Sequence, residues 1–135
     1  MAKCWKVGRL DERGRVWSAF VPRRNAAVCL RYAIGETTAS RFGGSFCFSS
    51  LNAARAFVQD SLYASLAVFR AKGRGRLPLP DDSPEMGMCD DPARKLRRVW
   101  KQGRAQSVGS WPVGTVAYRE VTLVRHVWPK PKGAE

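Results

Sequence analysis

The residues of this chain best equipped for chemistry are cations. Arg94, Lys95, Arg97, Arg98, Lys101 and Arg104 fall within one short stretch. In a helix, a rise of about 1.5 Å per residue would hold them within about 15 Å of one another. No acidic residue stands four positions on to relieve them, so they repel unless an anion sits near. A second strip, Lys72, Arg74 and Arg76, is spaced by Gly73 and Gly75. Glycines between cations give a flexible strip whose backbone can approach phosphates closely. A charge run is ordinarily a solvated face, but one this one-sided points to phosphate contact.

The other chemistries lack their residue patterns. His126 is the only histidine, and no nucleophile motif accompanies it in Val124-Arg125-His126-Val127-Trp128. Asp81, Asp82, Asp90 and Asp91 lie where capping and solvation explain them. Cys4, Cys29, Cys47 and Cys89 contain no C-x-x-C, and there is no paired histidine, so no zinc site and no bound metal is expected. Three of the four lie in apolar, strand-like segments, which suits buried thiols in a reducing compartment. Neither a Walker-type loop nor a strand-bound G-x-G-x-x-G is present.

The bulk composition agrees with this emphasis on charge. The 135 residues carry 24 Lys and Arg against 11 Asp and Glu, a formal net charge of +13, and 44% are hydrophobic. That length buries one core, and the positive field attracts polyanions or anionic surfaces. No apolar run reaches membrane-spanning length and the N-terminus lacks a secretory pattern, so a soluble, cytoplasmic protein without membrane insertion is expected. For a phage- or virus-encoded chain, that location becomes the host cytoplasm or the virion.

The elements that must position these cations read as α+β. Residues 4–10 and 16–21, joined by Asp11-Glu12-Arg13-Gly14, suggest a hairpin, and residues 27–34 a further strand. Phe46 and Phe48 fall on one side of a strand and Cys47 on the other. Ser49 or Ser50 caps a helix running to about Gln59 or Asp60, carrying Leu51, Ala54, Phe57 and Val58 at helical spacing. A strand over residues 64–71 is favoured, with a helix continuing through Ala71 as the competing reading. Residues 72–91 read as a long Gly/Pro-rich loop. Asp91-Pro92 opens a second helix closed by Gly103, with Leu96, Val99 and Trp100 as its apolar stripe. Residues 114–128 form the clearest strand region, and 129–135 a polar tail.

The segments Ser18-Ala19-Phe20, Tyr32-x-x-Gly35, Gly44 to Ser49, Ala53 or Ala54 with Phe57, and Pro112-x-Gly114-Thr115-Val116 resemble a pattern in small prokaryotic and phage proteins of the ADP-ribosyltransferase-like fold. The resemblance implies a cleft lined by Tyr32, Ser45 and Phe46 that would take NAD, with Arg9 and Ser45 or Ser49 open to the other roles. It also implies a late catalytic glutamate. Here Glu120 follows Tyr118 and Arg119, without the Glu or Gln two residues earlier that arginine-modifying members use.

The sequence thus predicts a single α+β domain over residues 1–128, mainly antiparallel with two short helices. Its leading functional expectation is a non-enzymatic module without cofactor that binds nucleic acid or another polyanion, in the manner of a phage or viral accessory protein. The expected contacts are Lys72, Arg74, Arg76, Arg94, Lys95, Arg97, Arg98, Lys101 and Arg104. A divergent NAD-binding enzyme and a virion or interaction component docking an acidic protein are the alternatives.

Overall fold

The computed structural model describes residues 1–19, 30–40, 43–61, 65–79, 94, 100 and 111–129. Seven strands and one helix follow in the order β1 (Ala2–Leu10), β2 (Val16–Ser18), β3 (Arg31–Tyr32), β4 (Thr37–Ala39), β5 (Ser45–Phe48), α1 (Leu51–Gln59), β6 (Leu66–Leu77) and β7 (Thr115–Trp128). All strand pairings are antiparallel.

The sheet runs β3-β2-β1-β5-β7-β4, while β6 pairs with both β1 and β7. The path β1-β6-β7-β5 therefore returns to β1, and the sheet closes on itself as a small barrel. Closure gives every long strand an inner and an outer set of side chains. The inner set includes Cys4, Tyr32, Cys47, Phe69, Ala71, Tyr118, Val121 and Leu123. The outer set, Val7, Phe48, Leu66 and Val68, is covered by α1 through Ala54. Ser50 caps that helix, its Oγ accepting from the Ala53 amide at 3.1 Å, and Phe57 packs on Phe48 at 5.2 Å between ring centroids.

The expected hairpin forms between β1 and β2, and α1 stops at Gln59 as its periodicity indicated. Of the two readings of the run up to Ala71, the strand is the one found: β6 starts at Leu66 and is longer than the apolar run suggested. β6 continues through Lys72, Gly73, Arg74, Gly75 and Arg76 to Leu77, so the first part of the expected loop is strand. Glycine content argued for a loop, but pairing with β7 supplies the hydrogen bonds that local propensity does not. Gly73 also has a packing reason: a Cβ there would run into the Tyr118 ring, which covers the bare backbone. The remainder of that segment, residues 80–91, lies outside the described residues. So does the second expected helix apart from Arg94 and Trp100, both of which are helical, and α1 is the one helix seen whole among the described residues. No described helix is long and apolar enough to cross a membrane.

The β1–β2 turn is organised by one carboxylate. Asp11 accepts from the backbone amides of Arg13 and Arg15, from Arg15 Nε at 2.6 Å and from Trp17 Nε1 at 2.9 Å. The Trp17 bond, followed by those from Arg15 and Arg13, holds its carboxyl well below the usual carboxylate range.

Two outcomes follow from this packing. Gly73→Ala loses about 1–3 kcal/mol in urea unfolding, because the ring of Tyr118 must leave its seat. Asp11→Asn lowers the thermal midpoint. Since the native carboxyl is depressed below its unfolded value of about 3.9, the gap from the parent protein is full above about pH 5 and closes as pH falls toward about 2.

Candidate functional site

On β6 the two-residue period puts Arg70, Lys72 and Arg74 on one side of the strand. Register then determines what joins them. Lys72 stands opposite Lys3 of β1 and Thr122 of β7, Arg70 opposite Trp5 and Arg125, and Arg74 opposite Glu120. Directly opposed residues share a face, and Trp5 and Val7 belong to the outer cluster, so this is the helix-bearing side of the barrel. Helix α1 covers that side at Val7, Phe48, Leu66 and Val68. Beyond the helix the same face carries Lys3, Arg70, Lys72 and Arg125, all exposed except the half-buried Arg70.

This arrangement places like charges opposite one another twice, Lys3 against Lys72 and Arg70 against Arg125. Neighbouring strands lie about 4.8 Å apart, inside the screening length of about 8 Å at physiological salt, so the repulsion is felt. Among the described residues, Arg70, Lys72, Arg74 and Arg125 have neither an ion pair nor a side-chain hydrogen bond. Glu120, in register with Arg74, makes no ion pair with it. A phosphate or other anion over the face would relieve both opposed pairs at once.

Of the cations expected from sequence, Lys72 and Arg74 lie on this face. Arg76 does not share it. Gly75, with φ of 72°, turns the strand end, and the Arg76 guanidinium sits 6.0 Å from the centroid of Tyr118. Arg94 is exposed, and Lys95, Arg97, Arg98, Lys101 and Arg104 lie outside the described residues. Trp100, expected to tether that segment, does dock. It stacks on Phe46 at 5.4 Å and lies flat against Gly43, where its ring occupies the space a Cβ would need. The sequence reading missed Lys3, Arg70 and Arg125, which are single cations in apolar or mixed runs. Strand alternation would have placed Arg70 beside Lys72 had residues 72–77 been read as strand.

The residues implied for NAD behave differently. Tyr32 and Ser45 come together, with 3.3 Å between their hydroxyl oxygens, but both face the barrel interior at 3% and 5% exposure. Phe46 points to the other side of β5, between Trp100 and Trp111. The three therefore do not line one cleft. His126 stacks on Phe69 at 5.1 Å, and its buried Nε2 has no hydrogen-bond partner. Among the described residues no group of His, Cys, Asp and Glu could hold a metal ion.

Beside Tyr32 and Ser45 lies a buried cation. Lys6 is 8% exposed, donates from Nζ to the Phe46 carbonyl at 2.8 Å, and sits 5.2 Å from the Tyr32 ring centroid. Burial opposes its charge, but Tyr32, Cys47 and Cys4 outweigh that and hold it above the ordinary lysine value. Cys4 and Cys47 are free thiols joined by a hydrogen bond. That bond, aided by Lys6 and opposed by burial, draws Cys47 below the usual thiol value. The same bond, with burial, pushes Cys4 well up. The expected buried thiols are thus present at Cys4 and Cys47, whereas Cys29 and Cys89 lie outside the described residues.

Replacing Lys6 by Met leaves the Phe46 carbonyl buried without a donor, and urea unfolding registers a loss of about 1–3 kcal/mol. The variant also removes a cation from Cys47, so the ultraviolet absorbance step of its thiolate moves to higher pH. Compared with protein-family models, with curated proteins and with solved structures, the chain finds no match.

Proposed function

We propose that this chain is a non-enzymatic binding module that engages nucleic acid or a similar polyanion through the outer face of its barrel. The observation that carries this reading is the register itself, which opposes Lys3 to Lys72 and Arg70 to Arg125 with no carboxylate between them. A protein that used these residues only for solubility would gain by alternating their sign, because opposite charges across strands stabilise and like charges do not. The net charge of +13 supports the same reading, since a long-range positive field steers polyanions to the surface. Phosphate contacts would set affinity and orientation, with little base readout. Lys95, Arg97, Arg98, Lys101 and Arg104 belong to the proposal as further phosphate contacts on the strength of sequence.

The test is fluorescence anisotropy with a labelled random oligonucleotide between about 50 and 400 mM salt. Log affinity should fall linearly with log salt, and changing Lys3, Arg70, Lys72 and Arg125 to Gln should flatten the slope by about 0.7–0.9 for each phosphate that is no longer neutralised. Arg31→Gln, on the short strand β3, should leave the slope as it was. Absence of binding at the lowest salt, or a slope unchanged in the fourfold variant, overturns the proposal.

A further inference from the structure

Two indoles share the cationic face, and each has a cation resting over its ring. Trp5 on β1 stands opposite Arg70, and Trp128 on β7 stands opposite Val68. Val68 and Arg70 are two residues apart on β6, so the indoles flank that strand from either side on one face. Strand spacing and rise separate their backbones by about 12 Å. Both are half-buried against the outer cluster, which fixes them from beneath. Lys3 Nζ lies 5.2 Å from the Trp5 ring centroid, and the Arg55 guanidinium of α1 lies 5.4 Å from that of Trp128.

We infer that Trp5 and Trp128 are stacking platforms, and that the polyanion this face takes is a single-stranded nucleic acid whose bases displace Lys3 and Arg55 from the rings. The inference rests on the polyanion reading above and specifies its ligand. Over its indole the exposed Lys3 is held weakly and the half-buried Arg55 somewhat more firmly, and a base stacked on an aromatic side chain is worth as much or more, about 1–3 kcal/mol. Exchange is therefore favourable, and it has a second effect: the displaced ammonium and guanidinium stay within side-chain reach of the platforms, where the phosphates flanking a stacked base must pass. Arg70, between the two platforms in register, meets the intervening backbone. A duplex offers phosphates to the same cations but keeps its bases paired and stacked, so it cannot use the indoles. Polyphosphate has no bases at all.

The experiment compares a mixed-sequence single strand, the blunt duplex and inorganic polyphosphate at one salt concentration, using the full chain. Trp5→Ala and Trp128→Ala are each expected to weaken single-strand binding by roughly 5- to 100-fold while leaving polyphosphate binding unchanged. Trp5→Phe and Trp128→Phe preserve a packed ring, so they remain informative if an alanine variant does not fold. In these variants single-strand affinity is largely kept, but the tryptophan quenching that accompanies single-strand binding drops in the variant that has lost a platform. Quenching unchanged in both phenylalanine variants, or alanine variants that weaken single strand and polyphosphate equally, overturns the stacking inference and leaves the polyanion reading standing. Failure of the parent protein to bind any of the three overturns both.

Discussion

β6 is hydrogen-bonded along both edges, and the rest of the structure depends on that double pairing. It meets β1 from Ala2 through Arg9 and β7 from Ala117 to Trp128. A strand held on both sides has no freedom to slide, because a slip of one residue would exchange its two faces. Here such a slip would drive Arg70 and Lys72 into the interior and bring Phe69 and Ala71 to the surface. The register that buries Phe69 is therefore the register that assembles the cationic face. Two irregularities in the β6–β7 ladder, between Val68 and Phe69 and between Arg70 and Ala71, adjust how β7 meets this strand. They fall where β7 contributes Arg125 and Trp128, and bulges commonly re-aim side chains at such places.

The interior carries a polar inclusion that a hydrophobic core of this size does not require. Lys6 is satisfied by the Phe46 carbonyl and the Tyr32 ring, and Tyr32 by contact with Ser45. Such a group adds less stability than its contacts alone would give, since desolvating the charge offsets much of what its partners return. What it does supply is discrimination. Lys6 on β1 meets a carbonyl of β5, two strands joined by only the Trp5–Phe48 pair in register. A misaligned β1 would leave an ammonium buried without partners, which is far more costly than the aligned state. The buried cation thus reinforces the weakest seam of the closed sheet.

Inside and outside, aromatic rings meet cations in the same way but to different ends. Within the barrel the Lys6–Tyr32 contact is permanent because both groups are enclosed. On the outer face the exposed Lys3 and the half-buried Arg55 rest on half-buried indoles, where contacts of this kind are worth about 0.5–2 kcal/mol. Such contacts keep the rings covered in the free protein at small cost to any exchange. The cross-strand repulsion between the neighbouring cations is of similar size, about 0.2–1 kcal/mol for each opposed pair. The outer face is thus held together by weak terms that an anionic aromatic ligand would reverse in sign.

The charge, the antiparallel character, the first hairpin and the extent of α1 were all legible in the sequence, because each rests on composition or on a short period within one segment. Ser50 and the spacing of Leu51, Ala54 and Phe57 suffice to specify a capped helix, and Phe46, Cys47 and Phe48 to specify a two-sided strand. The strand through Lys72 and Arg76 was not legible, since its glycines oppose it locally and the Tyr118 ring and the ladders to β1 and β7 compensate. Tyr32 and Ser45 were named together only as lining a cleft with Phe46, and whether they faced a cleft or a core depended on closure of the sheet. The sequence by itself determined that this surface would be cationic. Only the tertiary structure decided which cations stand together, because Lys3, Arg70 and Arg125 are far apart in the chain and become neighbours through strand register alone.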